Sequence, residues 1–160
     1  MSGRVIIIMG SGSDREHAER IRKPLVDWGV PVEVRVASAH KSAAHLLAIL
    51  SSYEAQGGSR VYIAIAGRSN ALGGLVDASV TAPVITCPPY SDAFAGADVF
   101  SSLRMPGGVA PLLVLDPANA ALAAAKILSL GDEALAEVVR QQHSAAEERI
   151  LADDQSLQKG

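Results

Sequence analysis

His40 is the one of four histidines whose neighbours invite chemistry. It stands in Ser38-Ala39-His40-Lys41, between a hydroxyl and an ammonium group, and an imidazole so placed can take or give a proton near neutral pH. A second cluster, Gly10-Ser11-Gly12-Ser13-Asp14, joins glycines that permit a tight turn to two hydroxyls and a carboxylate. Ahead of a helix, those hydroxyls and the unpaired amides of the first turn would receive a phosphate where the helix dipole is positive. Asp14 could then accept from sugar hydroxyls. A third polar stretch, Gly67-Arg68-Ser69-Asn70-Ala71, completes the set. Each cluster also reads as ordinary turn and cap residues, and residue types alone leave both readings open.

The remaining reactive side chains carry less. His17, His45 and His143 fall within helical patterns, as surface or satisfied packing residues. Cys87 ends an apolar run against Pro88-Pro89 with no base partner evident, which reads as a small buried hydrophobe. Asp92 and Asp98 read as caps or loop carboxylates, while Arg104, after Ser101-Ser102, could meet a phosphate or a neighbouring subunit. Arg15 stands where a dinucleotide fingerprint needs its third glycine, and no lysine has the spacing of a phosphate-binding P-loop, so neither NAD nor ATP is indicated. Ala66-Gly67 occupies the place of a phospho-acceptor aspartate, and the scarcity of aromatics argues against flavin.

The elements that must position these groups alternate. Val5-Ile6-Ile7-Ile8 is a β-branched run of the kind buried on both faces of a parallel sheet. Ser13 with Glu16 reads as a capping box, and Ala18, Ile21, Leu25 and Trp28 continue at helical spacing. A second strand is expected over 32–36, then a helix opened by Ser42 with Leu46, Leu47, Leu50 and Tyr53 inward, closed by Gly57-Gly58. A third strand over 61–66 leads into a loop from Gly67 to Gly74, and a fourth over 84–87 precedes a helix over 93–103. A fifth strand over 112–115, an alanine-rich helix over 119–130 and a terminal amphipathic helix from Glu133 to about Asp153 complete the chain. This alternation specifies an α/β fold: a three-layer αβα sandwich on a flavodoxin-like parallel sheet with right-handed crossovers and a C-terminal helix extension. Ligands of such sheets bind outside the carboxyl ends of the strands, where all three polar clusters fall.

With 160 residues the chain is expected to form a single domain over 1–160. Apolar residues make up 49% but aromatics only 4%, which predicts a core of closely packed helix on sheet. A net charge of -3 without a basic block points away from nucleic acid and toward small partners. One cysteine excludes an internal disulfide and cysteine-based zinc, and fits a reducing, cytoplasmic compartment. No targeting segment or membrane span is read from the sequence.

Taken together, Met9-Gly10-Ser11-Gly12-Ser13-Asp14, Ser38-Ala39-His40-Lys41, Ala66-Gly67-Arg68-Ser69-Asn70, Cys87-Pro88-Pro89 and Ser101-Ser102-Leu103-Arg104-Met105-Pro106 resemble, in order, the motifs of the aminoimidazole ribonucleotide carboxylases of purine biosynthesis. The resemblance covers roughly residues 4 to 130. Members of class I, the carboxyaminoimidazole ribonucleotide mutases, carry Ser-Ala-His-Arg and a Gly-Gly-Ala-Ala-His-Leu loop; Lys41 and Gly67-Arg68-Ser69-Asn70 match class II instead. Class II implies carboxylation with free carbon dioxide and no ATP, biotin or metal. The resemblance implies His40 as proton-transfer residue, Ser11, Ser13 and Lys41 at the 5′-phosphate, Asp14 at the ribose and Ser38 nearby. It also places Lys41 and Ser69 at the carbon dioxide site, with Arg68, Asn70 and Ala71 in the same substrate loop. Ala71 stands where animal members carry glycine, which alters a backbone approach there.

Two alternatives remain at this stage, the class I mutase and a non-catalytic flavodoxin-like nucleotide-binding regulator. The apolar loops Ala71-Leu72-Gly73-Gly74-Leu75 and Met105-Pro106-Gly107-Gly108-Val109, with the terminal helix, predict self-association. The resemblance implies a homo-octamer, favoured over a tetramer, with sites formed between subunits.

Overall fold

The computed structural model describes residues 3–158, so the outermost residues of the expected domain, 1–2 and 159–160, lie outside the described residues. Its centre is β1 (Arg4–Met9), paired in parallel with β2 (Val32–Val36) on one side and β3 (Arg60–Ile65) on the other. Ile7 sits opposite Val34 and Ile63, which fixes the register across all three strands. β4 (Val84–Thr86) and β5 (Leu112–Leu113) extend the sheet in the order β2-β1-β3-β4-β5, all parallel. Fold class and layers agree with the reading from sequence.

Alternation along β1 divides the core in two. Val5, Ile7 and Met9 face one layer with α1 (Arg15–Asp27) and α4 (Pro117–Ser129), while Ile6 and Ile8 face the other with α2 (Ala43–Ala55) and α3 (Ala71–Asp77). Every β1 residue from Val5 to Ile8 is fully buried. The alanines of α4 explain the low aromatic content: Ala120, Ala121, Ala124 and Ala125 are fully buried, and their small side chains let the helix lie close on the sheet. At the opposite edge of the sheet from the polar loops, Glu54 ties α2 to the next layer. Its carboxylate accepts from the Tyr62 hydroxyl at 2.9 Å and from both the backbone and hydroxyl of Thr81.

Several elements differ from the sequence reading. Residues 67–74 are not one loop, because α3 begins at Ala71, capped by Asn70, whose Oδ1 accepts from the Gly73 amide at 3.1 Å. The two glycines read as breakers, yet Gly73 packs so closely that a Cβ there would collide with Thr86 and Asn70. Leu72 and Val76 are consequently buried, so this stretch does not add exposed apolar surface. Residues 93–103 do not form a regular helix either. They form short 3-10 turns, Ala93–Ser102, broken where Phe94, Ala95 and Gly96 adopt left-handed φ of 50°, 53° and 76°. Two non-glycine residues in that region are uncommon. Ser42 precedes α2 without capping it, and Ile49 replaces Leu47 on the inner face. The terminal helix, α5, runs from Glu133 to Gln158; only its first turns, through Leu135, Val138 and Val139, meet the core.

Filling the Gly73 position tests the α3 packing. Gly73→Ala should destabilise the fold by about 1–3 kcal/mol through overpacking against Thr86 and Asn70, read as a lowered urea midpoint. An unchanged midpoint would show that α3 does not lie this close to β4.

Candidate functional site

The carboxyl ends of β1, β2 and β3 open on one cleft of about 680 Å³. Its first wall is the turn after β1. Ser11 begins a 3-10 turn, Gly12–Asp14, that leads directly into α1. The Ser11 amide donates to Asp14 Oδ2 at 3.1 Å, and the Ser13 amide donates to Ser11 Oγ at 3.3 Å. The reciprocal cap is therefore Ser11 with Asp14, rather than Ser13 with Glu16, because the chain makes one tight turn before the α-helix proper begins. Ser13 Oγ lies 2.9 Å from Ser11 Oγ, so the two hydroxyls act as a pair.

The second wall follows β2. Ser42 Oγ accepts from the Ser38 amide at 2.9 Å and donates to the Ser38 carbonyl, while Ser38 Oγ accepts from the Lys41 amide at 3.2 Å. The two serines thus pin both ends of the turn that carries His40 and Lys41. Both of those side chains are exposed. The third wall is Ala66, Gly67, Arg68 and Ser69 at the end of β3. Among the described residues, none of the His40, Lys41 or Arg68 side chains is engaged in a hydrogen bond or ion pair, and two unpaired cations beside paired hydroxyls form a receptor for an anion.

Eight of the ten residues singled out from sequence line this cleft: Ser11, Ser13 and Asp14; Ser38, His40 and Lys41; Arg68 and Ser69. Asn70 and Ala71 do not. Asn70 is buried, with its Oδ1 committed to α3 and its amide donating to Ser101 Oγ at 2.9 Å; its Nδ2 has no partner. Ser101, which donates in turn to the Asp98 carbonyl, fastens the 3-10 segment to the third wall. A smaller pocket of about 130 Å³ shares Ala66, Gly67 and Arg68 with the cleft and continues to Pro88, Pro89 and Val99.

His17 and Cys87 were not paired in the sequence reading. His17 is 8% exposed, and its Nε2 lies 3.0 Å from the Cys87 carbonyl and 3.4 Å from Cys87 Sγ. Cys87 accordingly has a histidine neighbour, yet burial, with the negative charge of Asp116 adding to it, pushes the thiol up to about 12. It remains an inert buried hydrophobe. Only the position of His17 on the Ala18–Ile21–Leu25 face of α1 hinted at its burial.

A model of the AIR carboxylase family matches residues 4–149. A protein from Treponema denticola, named phosphoribosylaminoimidazole carboxylase, is 50% identical over 155 residues, covering 97% of this chain and 98% of its own. One of the same name from Archaeoglobus fulgidus is 50% identical over 153 residues, covering 95% of this chain and 84% of its own. The crystal structure of Treponema denticola PurE superimposes with a TM-score of 0.95 at 50% identity, over 97% of this chain and 98% of that one.

Asp14 offers a test of the first wall. Burial raises its carboxyl above the ordinary value of 3.8, outweighing the bond from the Ser11 amide and the charge of His17. A folded carboxyl that holds its proton more tightly than the unfolded chain favours the fold at low pH. That advantage disappears as pH rises through the raised value, leaving a penalty at neutral pH. Asp14→Asn keeps an oxygen acceptor without the charge, so it should raise Tm at pH 7 by about 1–3 °C, with no gain near about pH 3. Equal melting points for both proteins at pH 7 would show that Asp14 carries no such penalty.

Proposed function

The chain belongs to the AIR carboxylase family, and from that membership we propose that it is an enzyme of purine biosynthesis that carboxylates 5-aminoimidazole ribonucleotide reversibly with free carbon dioxide, without ATP. The observation that carries the reading is the convergence of the Ser38–Lys41 turn on the Ser11–Asp14 turn in one cleft, with His40 and both cations unengaged. Lys41 and Gly67-Arg68-Ser69-Asn70 support the carbon dioxide-dependent class over the mutase.

The paired hydroxyls of Ser11 and Ser13, with the Lys41 ammonium, hold the 5′-phosphate at the start of the first helix. Asp14 keeps one carboxylate oxygen on the Ser11 amide and presents the other to the ribose. Ser38, Arg68 and Ser69 surround the ring and the incoming gas, and Asn70 and Ala71 contribute through the backbone shape of the loop behind them. The ring carbon of an aminoimidazole is enamine-like. It attacks carbon dioxide, a carbon–carbon bond forms, and the adduct carries both a carboxylate and the original ring proton. His40 takes that proton, aromaticity returns, and the product is the 4-carboxy nucleotide plus one proton. A positioned base contributes about 10²–10⁴-fold, and holding the nucleotide beside a gas-sized partner adds a proximity contribution. No phosphoryl donor enters this sequence of bonds.

Self-association fits the same surface. Tyr90 and Phe94, 75% and 83% exposed, together with Phe100 and Leu103, lie on the segment beside the smaller pocket. Ile150, Leu151 and Leu157 are exposed along α5. Such apolar surface supports self-association; the octamer, favoured over a tetramer, and the reach of Arg104 into a neighbour's site rest on the family resemblance. A cytoplasmic setting accords with the single, buried thiol.

Incubation with aminoimidazole ribonucleotide and bicarbonate, with no ATP, should yield the 4-carboxy nucleotide; turnover only of the carboxyamino nucleotide would reassign the chain to the mutases. In the same assay His40→Asn should lower turnover by at least about 100-fold while nucleotide binding persists, and near-normal turnover would remove His40 from the mechanism. Sedimentation at micromolar concentration should show a closed oligomer. A dominant 16.6 kDa species would end the shared-site arrangement.

A further inference from the structure

We propose that His17 is a positioning residue for the nucleotide, a buried latch that holds the Ser11–Asp14 turn at a fixed distance from the Pro88-Pro89 wall. The inference rests on the carboxylase reading above. Its basis is the bonding at the end of β4, whose last strand residue is Thr86. Beyond it the Cys87 amide still donates to Ala64 of β3, and the Thr86 carbonyl still accepts from Val114. The Cys87 carbonyl has left the ladder: no backbone amide among the described residues reaches it.

His17 supplies the missing donor. A carbonyl only accepts, so the 3.0 Å contact places the hydrogen on Nε2. The Cys87 thiol points toward the Leu115 carbonyl at 3.6 Å, a weak bond that does not compete for it. Burial, followed by the charge of Arg20, holds the imidazole below its ordinary pKa despite the Cys87 bond and the carboxylates of Asp14 and Asp116. The neutral ring therefore needs no counterion in the core.

The latch joins two parts of the site that, among the described residues, no other side-chain hydrogen bond connects. On one side, His17 lies three residues beyond Asp14 on α1, whose start carries the paired hydroxyls. On the other, Cys87 fixes where Pro88 and Pro89 begin, and these wall the pocket that shares Ala66, Gly67 and Arg68 with the cleft. If α1 pivots away from β4, the phosphate-holding turn moves with it, whereas His40 and Lys41 stay pinned by Ser38 and Ser42. Losing the latch thus weakens a contact made equally to the bound nucleotide and to the transition state, which raises KM and leaves kcat nearly unchanged.

The test uses three variants in the bicarbonate assay. Gln can carry an amide hydrogen to the place of Nε2, Asn is too short to reach it, and Met fills the volume without a donor. His17→Asn and His17→Met should raise KM for aminoimidazole ribonucleotide about 5- to 10-fold with kcat within about 2-fold of the parent, and His17→Gln should restore most of the parental KM. A merely structural role would lower the folded fraction, and with it apparent kcat, at constant KM. Parental KM in both Asn and Met variants, or loss of kcat alone, overturns the latch. Should the Met variant fail to fold, equal KM values for Asn and Gln overturn it as well. Absence of turnover by the unmodified protein defeats the carboxylase reading, and the latch with it, whereas turnover with unmoved KM defeats the latch alone.

Discussion

The hydrogen bonding of β1 to strands on both its edges, while helices cover both its faces, is the constraint on which the molecule depends. A strand enclosed on four sides must be apolar at consecutive positions, and Val5 through Ile8 meet this without a break. Because both neighbours run parallel to it, each chain segment must cross over the sheet before returning, so every turn leaving a strand opens at the same edge. The Ser11–Asp14, Ser38–Lys41 and Ala66–Ser69 walls face one another for that reason. The strands converge their termini, and the loops need only supply polar groups.

Those loops divide the work between rigidity and availability. Serine hydroxyls brace the backbone: Ser11 Oγ accepts from the Ser13 amide, Ser38 Oγ from the Lys41 amide and Ser42 Oγ from the Ser38 amide. Among the described residues the His40, Lys41 and Arg68 side chains are left unengaged and exposed at the cleft. Fixing a backbone with short side chains costs little rotamer entropy, whereas immobilising Lys41 or Arg68 in the empty site would cost more. Binding of an anion can then draw on cations that have no prior partner to surrender.

Much of this was legible in the chain because it follows from periodicity and turn chemistry. The unbroken run of β1, the helical spacing after it and the position of each polar cluster at a strand's end depend on neighbours within a few residues. What escaped was decided at long range. Gly73 reads as a breaker until Thr86 is seen to leave no room for a Cβ. The pairing of His17 with Cys87 joins residues seventy apart, and only sheet topology brings them together. Ser11 prevails over Ser13 as the cap because one extra tight turn precedes α1, a choice that both Asp14 and Glu16 could have served. The left-handed stretch at Phe94 and Ala95 has no local signature, since neither residue favours it. Where Asn70 and Ala71 were expected at the substrate, tertiary packing used Asn70 to start a helix.

The sealing of Cys87 gives the molecule an internal clock. It is the sole thiol, fully buried, and it sits where α1, β4 and the residues leading into α4 come together. A sulfhydryl reagent in solution can reach it only when those layers part. With the reagent in excess, labelling therefore counts openings of the sheet–helix seam and ignores fraying of α5 or motion of the exposed aromatic segment. One atom of sulfur separates the breathing of that seam from the movements of the surface.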